Sequence, residues 1–558
     1  MEVELAEIPS DNESVDGLCS SDDDLEENDL TNSKERRRNT VDNNDVDDEN
    51  DFDEDDDYLL EVREKWKRVS KPRADLPFTK DCGPNIPDAV CSPIEIFFCL
   101  FPESLINLLV EQTNIYLLQK RGKQKEVNQT ELLTFLGINI LMGIKRPKSY
   151  RDCWSMNPQL HDHYISELMT VNQFGFFLSH LHLSDNTKEP TRGSPEYDKL
   201  YKIRPLVTTL NETFKKYYLP KKNQAVDESM IKFKGRSSMK QYMPAKPVKR
   251  GYKCWVRADE SSYVCDFQIY TGKTASTEKL LGPRVVKDLT RELVNGNHHV
   301  YFDNYFTSVC LMVSLKSERI FACGTVQKNR KRLPKNQLLD KNMKIGDSEF
   351  QTSNTGIRWV KWIDKKPVHF LSNYHNPQDL TTVTRRQKDG SLKEVSSPVM
   401  CSDYNKHMGY VDNSDRLVPA YQIDRKSKRW WLRLFWHFLD LSVTNAFIIY
   451  KEKNFQPSLT LKKFRLDIVD KLVAKNLPST KGRKRKVEVV GPQKPQISLE
   501  KRRSESAHMP FYNPKGHYKR CVLCSTKKDE RRTLWSCSIC KVNLCLLPTR
   551  NCFADYHK

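Results

Sequence analysis

The sequence predicts an α/β core held between two helical segments and followed by a small metal-binding module. Three observations predict it: an ordered series of strand and helix signals over residues 224–326, helical periodicity on both sides of that series, and six cysteines in the last 38 residues. The chain has 558 residues, room for two to four domains at about 150 residues each. With 38% apolar and 10% aromatic residues it can bury a sizeable core, which excludes wholesale disorder.

The elements follow in order. Residues 1–60 are low-complexity and acidic with few apolar groups, and are expected to be disordered. Within them Cys19-Ser20-Ser21-Asp22-Asp23-Asp24 sets two serines before acids, as an acidophilic kinase requires. From about Pro87 to Leu219 apolar residues recur at three- and four-residue steps, in Ile94–Leu118, Glu131–Ile144 and Val171–Leu183, which predicts helices. The pattern then changes. Gln224–Phe233 reads as a strand, and Tyr252–Ala258 and Tyr263–Tyr270 read as a hairpin turning at Asp259-Glu-Ser-Ser262. Ser276–Leu293 is helical in period, His298–Phe302 is a short strand ending at Asp303, Phe306–Leu315 is a helix and Ile320–Val326 a strand. The order β-β-β-α-β-α-β is that of a ribonuclease-H-like fold, whose central strands bring carboxylates together at one end of the sheet. Residues 327–400 are basic, polar and strand-poor, and read as an insertion. Trp430–Tyr450 is a long amphipathic helix opened by Arg425-Lys-Ser-Lys-Arg-Trp-Trp431, and Pro478 to about Arg503 is a Pro/Lys/Arg-rich linker.

The net charge of +19 conceals an asymmetry. Residues 1–57 carry 24 acidic against 4 basic side chains, a net of −20, so the remaining 501 residues carry +39. A body that basic points to a polyanionic partner, and nucleic acid is the commonest. No apolar run reaches the ~18 residues that a membrane span needs. The opening Met1-Glu-Val-Glu-Leu-Ala-Glu is wrong for a signal peptide, and ten of the cysteines are scattered singly, which suits reduced thiols. The expectation is a soluble intracellular chain with no membrane partner.

Two constellations carry chemistry. Two-metal phosphoryl transfer needs carboxylates that hold two divalent ions ~3.5–4 Å apart. Asp227 lies on the first core strand, Asp303 ends the fourth, and Met408-Gly-Tyr-Val-Asp-Asn-Ser-Asp415 offers a third acid in Asp412 or Asp415, three residues apart and so on one helical face. Singly each is a weak signal, because an aspartate ending a strand also serves as an N-cap. The second constellation is Cys521-x2-Cys524-x12-Cys537-x2-Cys540-x4-Cys545-x6-Cys552-x4-His557, seven zinc-type ligands in 37 residues. An eighth, His517 or His508, would complete a two-zinc cross-braced module; a single zinc ribbon with idle thiols is the simpler alternative.

Basic stretches surround the proposed active end. Lys234 and Arg236, Lys249 and Arg250, and Lys328 and Arg330 are candidates for DNA-backbone contacts. Lys428, Arg429 and Trp430 combine cationic groups with an indole able to stack on an unpaired base, whereas Trp431 falls on the core face of its helix. In the linker, Lys481, Arg483, Lys484, Arg485 and Lys486 read as a nuclear localisation signal, with plain backbone neutralisation as the alternative.

From about residue 88 to its end the chain resembles piggyBac-type transposases. The matching stretches are Val226–Arg236, Tyr242–Tyr252, Phe302-Asp-Asn-Tyr-Phe-Thr-Ser308, Gly324-Thr-Val326, Met408–Asp415, Lys428-Arg-Trp430 and the terminal cysteines. The resemblance implies cut-and-paste DNA transposition: water nicks the transposon end, the freed 3′-hydroxyl attacks the opposite strand to form a hairpin, and the end joins a TTAA target. It implies that Asp227, Asp303 and Asp412 are the metal-binding triad for two Mg²⁺ or Mn²⁺ ions, with Asp415 a fourth acid and Trp430 near the flipped bases. It further implies a homodimer and a zinc domain, with two Zn²⁺, that binds the terminal inverted repeats. The implied organisation is a tail (1–60), a split helical dimerisation and DNA-binding domain (88–221 and 422–475), a split catalytic core (222–330 and 401–421), an insertion (331–400), a basic linker (476–506) and the zinc domain (508–558). Tyr410, Arg416 and Lys232 depart from common family residues without removing a ligand, and no cysteine lies two residues beyond Cys545. Two other functions compete: a domesticated, transposase-derived DNA-binding protein, and a scaffold carrying a RING-type ubiquitin ligase module. The position of the knuckles at the end of a basic chain disfavours the latter.

Overall fold

In the computed structural model the described residues are 64–70, 76–121, 126–244, 246–272, 281–386, 389–425, 427, 429–473, 502, 507–514, 517–526 and 529–558. The acidic tail, Lys428, nearly all of the 476–506 linker and its Lys481, Arg483, Lys484, Arg485 and Lys486 lie outside them.

The core is one mixed ten-stranded sheet. Its strands are β1 (Trp66–Lys67), β2 (Asn223–Lys232), β3 (Gln241–Tyr242), β4 (Arg250–Asp259), β5 (Val264–Ile269), β6 (His299–Phe302), β7 (Phe321–Thr325), β8 (Ser348–Ser353), β9 (Arg358–Ile363) and β10 (Pro367–Ser372). They lie in the order β1-β8-β9-β10-β7-β6-β2-β4-β3, with β5 also paired to β4. Only β2, β6 and β7 run parallel to one another; the remaining pairs are antiparallel. The expected series of three strands, helix, strand, helix, strand is present with one addition, the two-residue β3 between its first two strands, and with Leu281–Thr290 and Val309–Ser317 as the two helices.

Strand alternation assigns the two faces. On β6, Val300 and Phe302 join Val226, Val285, Leu289, Met312 and Leu315 under those two helices. Tyr301, between them, points the other way and packs with Cys323, Val360, Met400 and Tyr404 beneath the helix Val399–His407. A third core joins β4 and β5 to helices from two distant parts of the chain. There Phe438, on the helix Trp430–Glu452, stacks on Phe267 at 4.5 Å, and Trp436 meets Phe135 at 5.9 Å. The Asn445 side chain brackets Val264, accepting its N–H at 3.1 Å and donating to its carbonyl at 3.0 Å.

Two expectations need correction. The single helix over Ile94–Leu118 is two, Pro93–Leu100 and Glu103–Arg121, broken at Phe101-Pro102 because proline supplies no N–H to continue the ladder. Residues 327–400 are not strand-poor: they hold β8, β9 and β10, which extend the core sheet, and a hairpin of Leu380–Arg386 with Leu392–Pro398. Buried charge hid these strands from the sequence. Every residue of β9 is buried, including Arg358 and Lys361. Lys361 is held by Asp340 at 3.1 Å and Glu349 at 3.8 Å, so the apolar period is interrupted where the strand is deepest. Among the described residues no single helix is long and apolar enough to cross a membrane.

Candidate metal centre

Register builds the centre. The parallel pair β2 and β6 aligns Val226 with Phe302, so Asp227, the next residue of β2, and Asp303, the first residue beyond β6, follow on neighbouring strands. The ligand oxygens of Asp227, Glu228 and Asp303 all lie within 4.8 Å of one another. On the far side of β6, Gly324 of β7 keeps the strands close: a Cβ there would stand 2.7 Å from the Phe302 carbonyl oxygen and would collide with the Thr307 hydroxyl.

Hydrogen bonds fix the loop that carries Asp303. The Tyr305 N–H donates to its carboxylate at 3.0 Å, and the Thr307 hydroxyl donates to its carbonyl at 2.7 Å. Arg330 donates to the Asn304 and Tyr305 carbonyls at 2.7 and 3.3 Å, so this residue, singled out for DNA, also shapes the metal loop. Asp412 and Asp415 sit on the helix Tyr410–Leu417, which packs on β2 and β4. Asp415 accepts the Ser229 hydroxyl at 2.7 Å, tying that helix to β2. Asp412 is exposed and lies outside the close carboxylate group; it bears on the centre through Lys246.

Electrostatics mark the centre as short of positive charge. Burial, reinforced by Glu228 and Asp303, pushes Asp227 up to about 7, against the pull of Lys246. Burial and then Glu228 raise Asp303 to about 6. Burial raises Asp415 to about 6, opposed by the Ser229 hydroxyl and assisted by Asp412. Burial opposes the charge on Lys246, but Asp227, Glu228 and Asp412 outweigh it and lift its pKa. Hard carboxylate oxygens that are buried together and reluctant to ionise fit Mg²⁺ or Mn²⁺. Glu228 was not legible in the sequence, because alternation along a strand assigns it to the face opposite Asp227.

The terminal cysteines form two sets, Cys521, Cys524, Cys545 and Cys552, and His508, Cys537, Cys540 and His557. The sets alternate along the chain, which is cross-bracing. His508, not His517, stands with the second set, and Cys552 fills the place left open beyond Cys545. Cys524 and Cys545 sulfurs are 3.7 Å apart, and Cys540 sulfur is 3.5 Å from both His508 Nδ1 and His557 Nε2. Tetrahedral zinc with Zn–S ~2.3 Å and Zn–N ~2.0 Å requires ligand separations of about this size, so both sets fit Zn²⁺.

The basic candidates divide. Lys234, Arg236 and Lys249 are exposed, as is Arg250, whose guanidinium lies over the Tyr242 ring at 5.1 Å. Lys328 pairs with Asp340 at 3.2 Å. Arg429 donates to the Ser179 carbonyl at 2.8 Å, at the end of the helix Val171–His180. Trp430 is half-buried and Trp431 buried.

The chain has counterparts among known proteins. Residues 92–447 match the family model described as Transposase IS4, which sets the class. The human "PiggyBac transposable element-derived protein 3" is 29% identical over 476 residues, covering 84% of this chain and 76% of that protein. The human "PiggyBac transposable element-derived protein 2" is 28% identical over 370 residues, 64% of this chain and 62% of that protein. A cryo-EM structure of a piggyBac transposase synaptic complex with hairpin DNA shares the fold, with a TM-score of 0.62 over 84% of this chain and 98% of that one at 22% identity. The chain belongs to the piggyBac transposase family.

Proposed function

We propose that the protein is a DNA transposase that excises and reinserts DNA at TTAA through a hairpin intermediate. One observation carries this reading: the parallel register of β2 and β6 sets Asp227 beside Asp303 in a buried, charge-deficient centre. The sheet order β5-β4-β2-β6-β7 supports a ribonuclease-H-like core around it. Asp227, Asp303 and Asp412 would hold two Mg²⁺ or Mn²⁺ ions, which when bound activate the attacking oxygen and stabilise the leaving oxygen. The chain's own residues do the rest. Asp415, through Ser229, fixes the helix that carries Asp412. Arg330 and Thr307 hold the Asp303 loop in shape. Lys234, Arg236, Lys249 and Arg250 bind the DNA backbone, Lys428 and Arg429 add charge beside Trp430, and the zinc module binds the terminal repeats. The protein acts as a homodimer in the nucleus, directed there by the basic cluster Lys481–Lys486.

A second reading, a domesticated DNA-binding protein with idle catalysis, is favoured by relatives named as transposable element-derived. One experiment separates the two. Purified protein, Mg²⁺ or Mn²⁺ and labelled DNA carrying the element's ends flanked by TTAA are run on a denaturing gel. A hairpin-sized product that disappears with Asp227→Ala is the expected result. End-specific binding without cleavage establishes the second reading instead.

A further inference from the structure

A lysine sits inside the carboxylate centre. Lys246 Nζ lies 3.5 Å from the Glu228 carboxylate and 3.9 Å from Asp227, and donates to the Glu228 carbonyl at 3.3 Å. A second lysine, Lys253, lies 3.9 Å from the other Glu228 oxygen and 4.6 Å from the centre of the Tyr305 ring. The two are not equivalent. Lys253 projects from β4 and keeps 9% of its side-chain surface exposed, whereas Lys246 keeps 28%. Lys246 stands at the mouth of the centre, on the loop between β3 and β4, where Pro244 and Pro247 restrict the backbone on either side.

An ammonium is a compact charge with three donors on a flexible stem. Here two of its three contacts go to Glu228, one to the carboxylate that shares the close group with Asp227 and Asp303 and one to the backbone carbonyl. A divalent cation entering that group would repel the ammonium from both carboxylates and leave it tethered to the Glu228 carbonyl alone, still open to solvent.

We propose that Lys246 is a metal-gated phosphate contact: its ammonium is held on Asp227 and Glu228 when the centre lacks divalent cations, and turns to a DNA phosphate when they bind, with Glu228 as its positioning residue. This rests on the metal-centre reading given above. It separates Lys246 from Lys234, Arg236 and Lys249, whose exposed charges meet DNA with or without metal.

The test uses the full chain, Mn²⁺ as the metal probe and a DNA duplex of arbitrary sequence, so no turnover is needed. Lys246→Met is expected to bind Mn²⁺ about fivefold more tightly than the wild type, because a resident competing charge is gone. Its affinity for duplex without metal should be unchanged. With Mn²⁺ its affinity should be about five- to tenfold weaker than the wild type's, with the salt slope reduced by about one. Lys246→Arg, which keeps the charge, should restore the slope in Mn²⁺. An unchanged Mn²⁺ affinity in Lys246→Met, or an equal loss of DNA binding with and without metal, overturns the proposal. Asp227→Ala separates this failure from a deeper one. If Asp227→Ala binds Mn²⁺ as the wild type does, the metal centre itself is misplaced and both readings fall.

Discussion

Asp227 and Asp303 are poised between two protonation states because the fold buries them side by side. Both have folded pKa values above the ordinary aspartate value, about 7 and about 6. A divalent ion binds the ionised forms, so Mn²⁺ affinity should rise with pH between about 5 and 8 and then level off, as titration calorimetry in several buffers would show. The same shifts act on stability. A carboxyl whose folded pKa is raised binds a proton more tightly folded than unfolded, so between about pH 4 and 7 its contribution falls as pH rises. Asp227→Asn removes that penalty. The metal-free variant should be about 1–3 kcal/mol more stable than the wild type at pH 7.5 and no more stable at pH 4, measured by denaturant unfolding. A wild-type stability at both pH values would show that Asp227 is solvated rather than buried.

Close strand approach sets the geometry at the scale of elements. Gly324 lets β7 pass close to β6, and a methyl group there meets a backbone carbonyl, which cannot rotate away. Gly324→Ala should cost about 1–3 kcal/mol and also weaken Mn²⁺ binding, since β6 ends in the loop that carries Asp303. A loss of stability with unchanged metal affinity would place the strain elsewhere. The cross-braced module permits a sharper test. Full-length protein should hold two zinc ions, His508→Ala one, and His517→Ala two, by mass spectrometry under native conditions. Loss of an ion in His517→Ala would exchange the roles of the two histidines.

Charge segregation dominates the whole molecule. A tail of net −20 is joined to a body of +39, and a tail that competes with DNA for cationic surface makes one prediction. Deleting residues 1–57 should tighten DNA binding most at low salt, with the gain shrinking as salt screens the competition. Equal affinity across salt would show that the tail only solvates. The three cores explain how distant segments serve one site: Phe438 and Asn445 clamp β5 from one side, while Val300 and Met312 close the sheet from the other. Asp227 is thereby set on a strand supported on both faces.

The sequence alone determined what depends on local pattern. Period-two and period-3.6 runs placed the strands around Asp227 and Asp303 and the helix that opens at Trp430, and knuckle spacing marked the cysteines that the fold gathers into two candidate zinc sets. It left open what depends on register and depth. The choice of His508 over His517 was decided by chain packing, because both histidines precede the knuckles at workable spacings. Strands β8 to β10 escaped notice because Arg358 and Lys361 are buried on the strand that also carries Trp359 and Trp362, and a buried charge reads in sequence as surface. Glu228 escaped because strand alternation turns it away from Asp227, and the basic stretch Lys246–Arg250, placed near the active end by sequence, gave no sign that Lys246 would meet that carboxylate. Local propensity is written residue by residue, but the partners of a buried charge exist only once distant strands have been brought together.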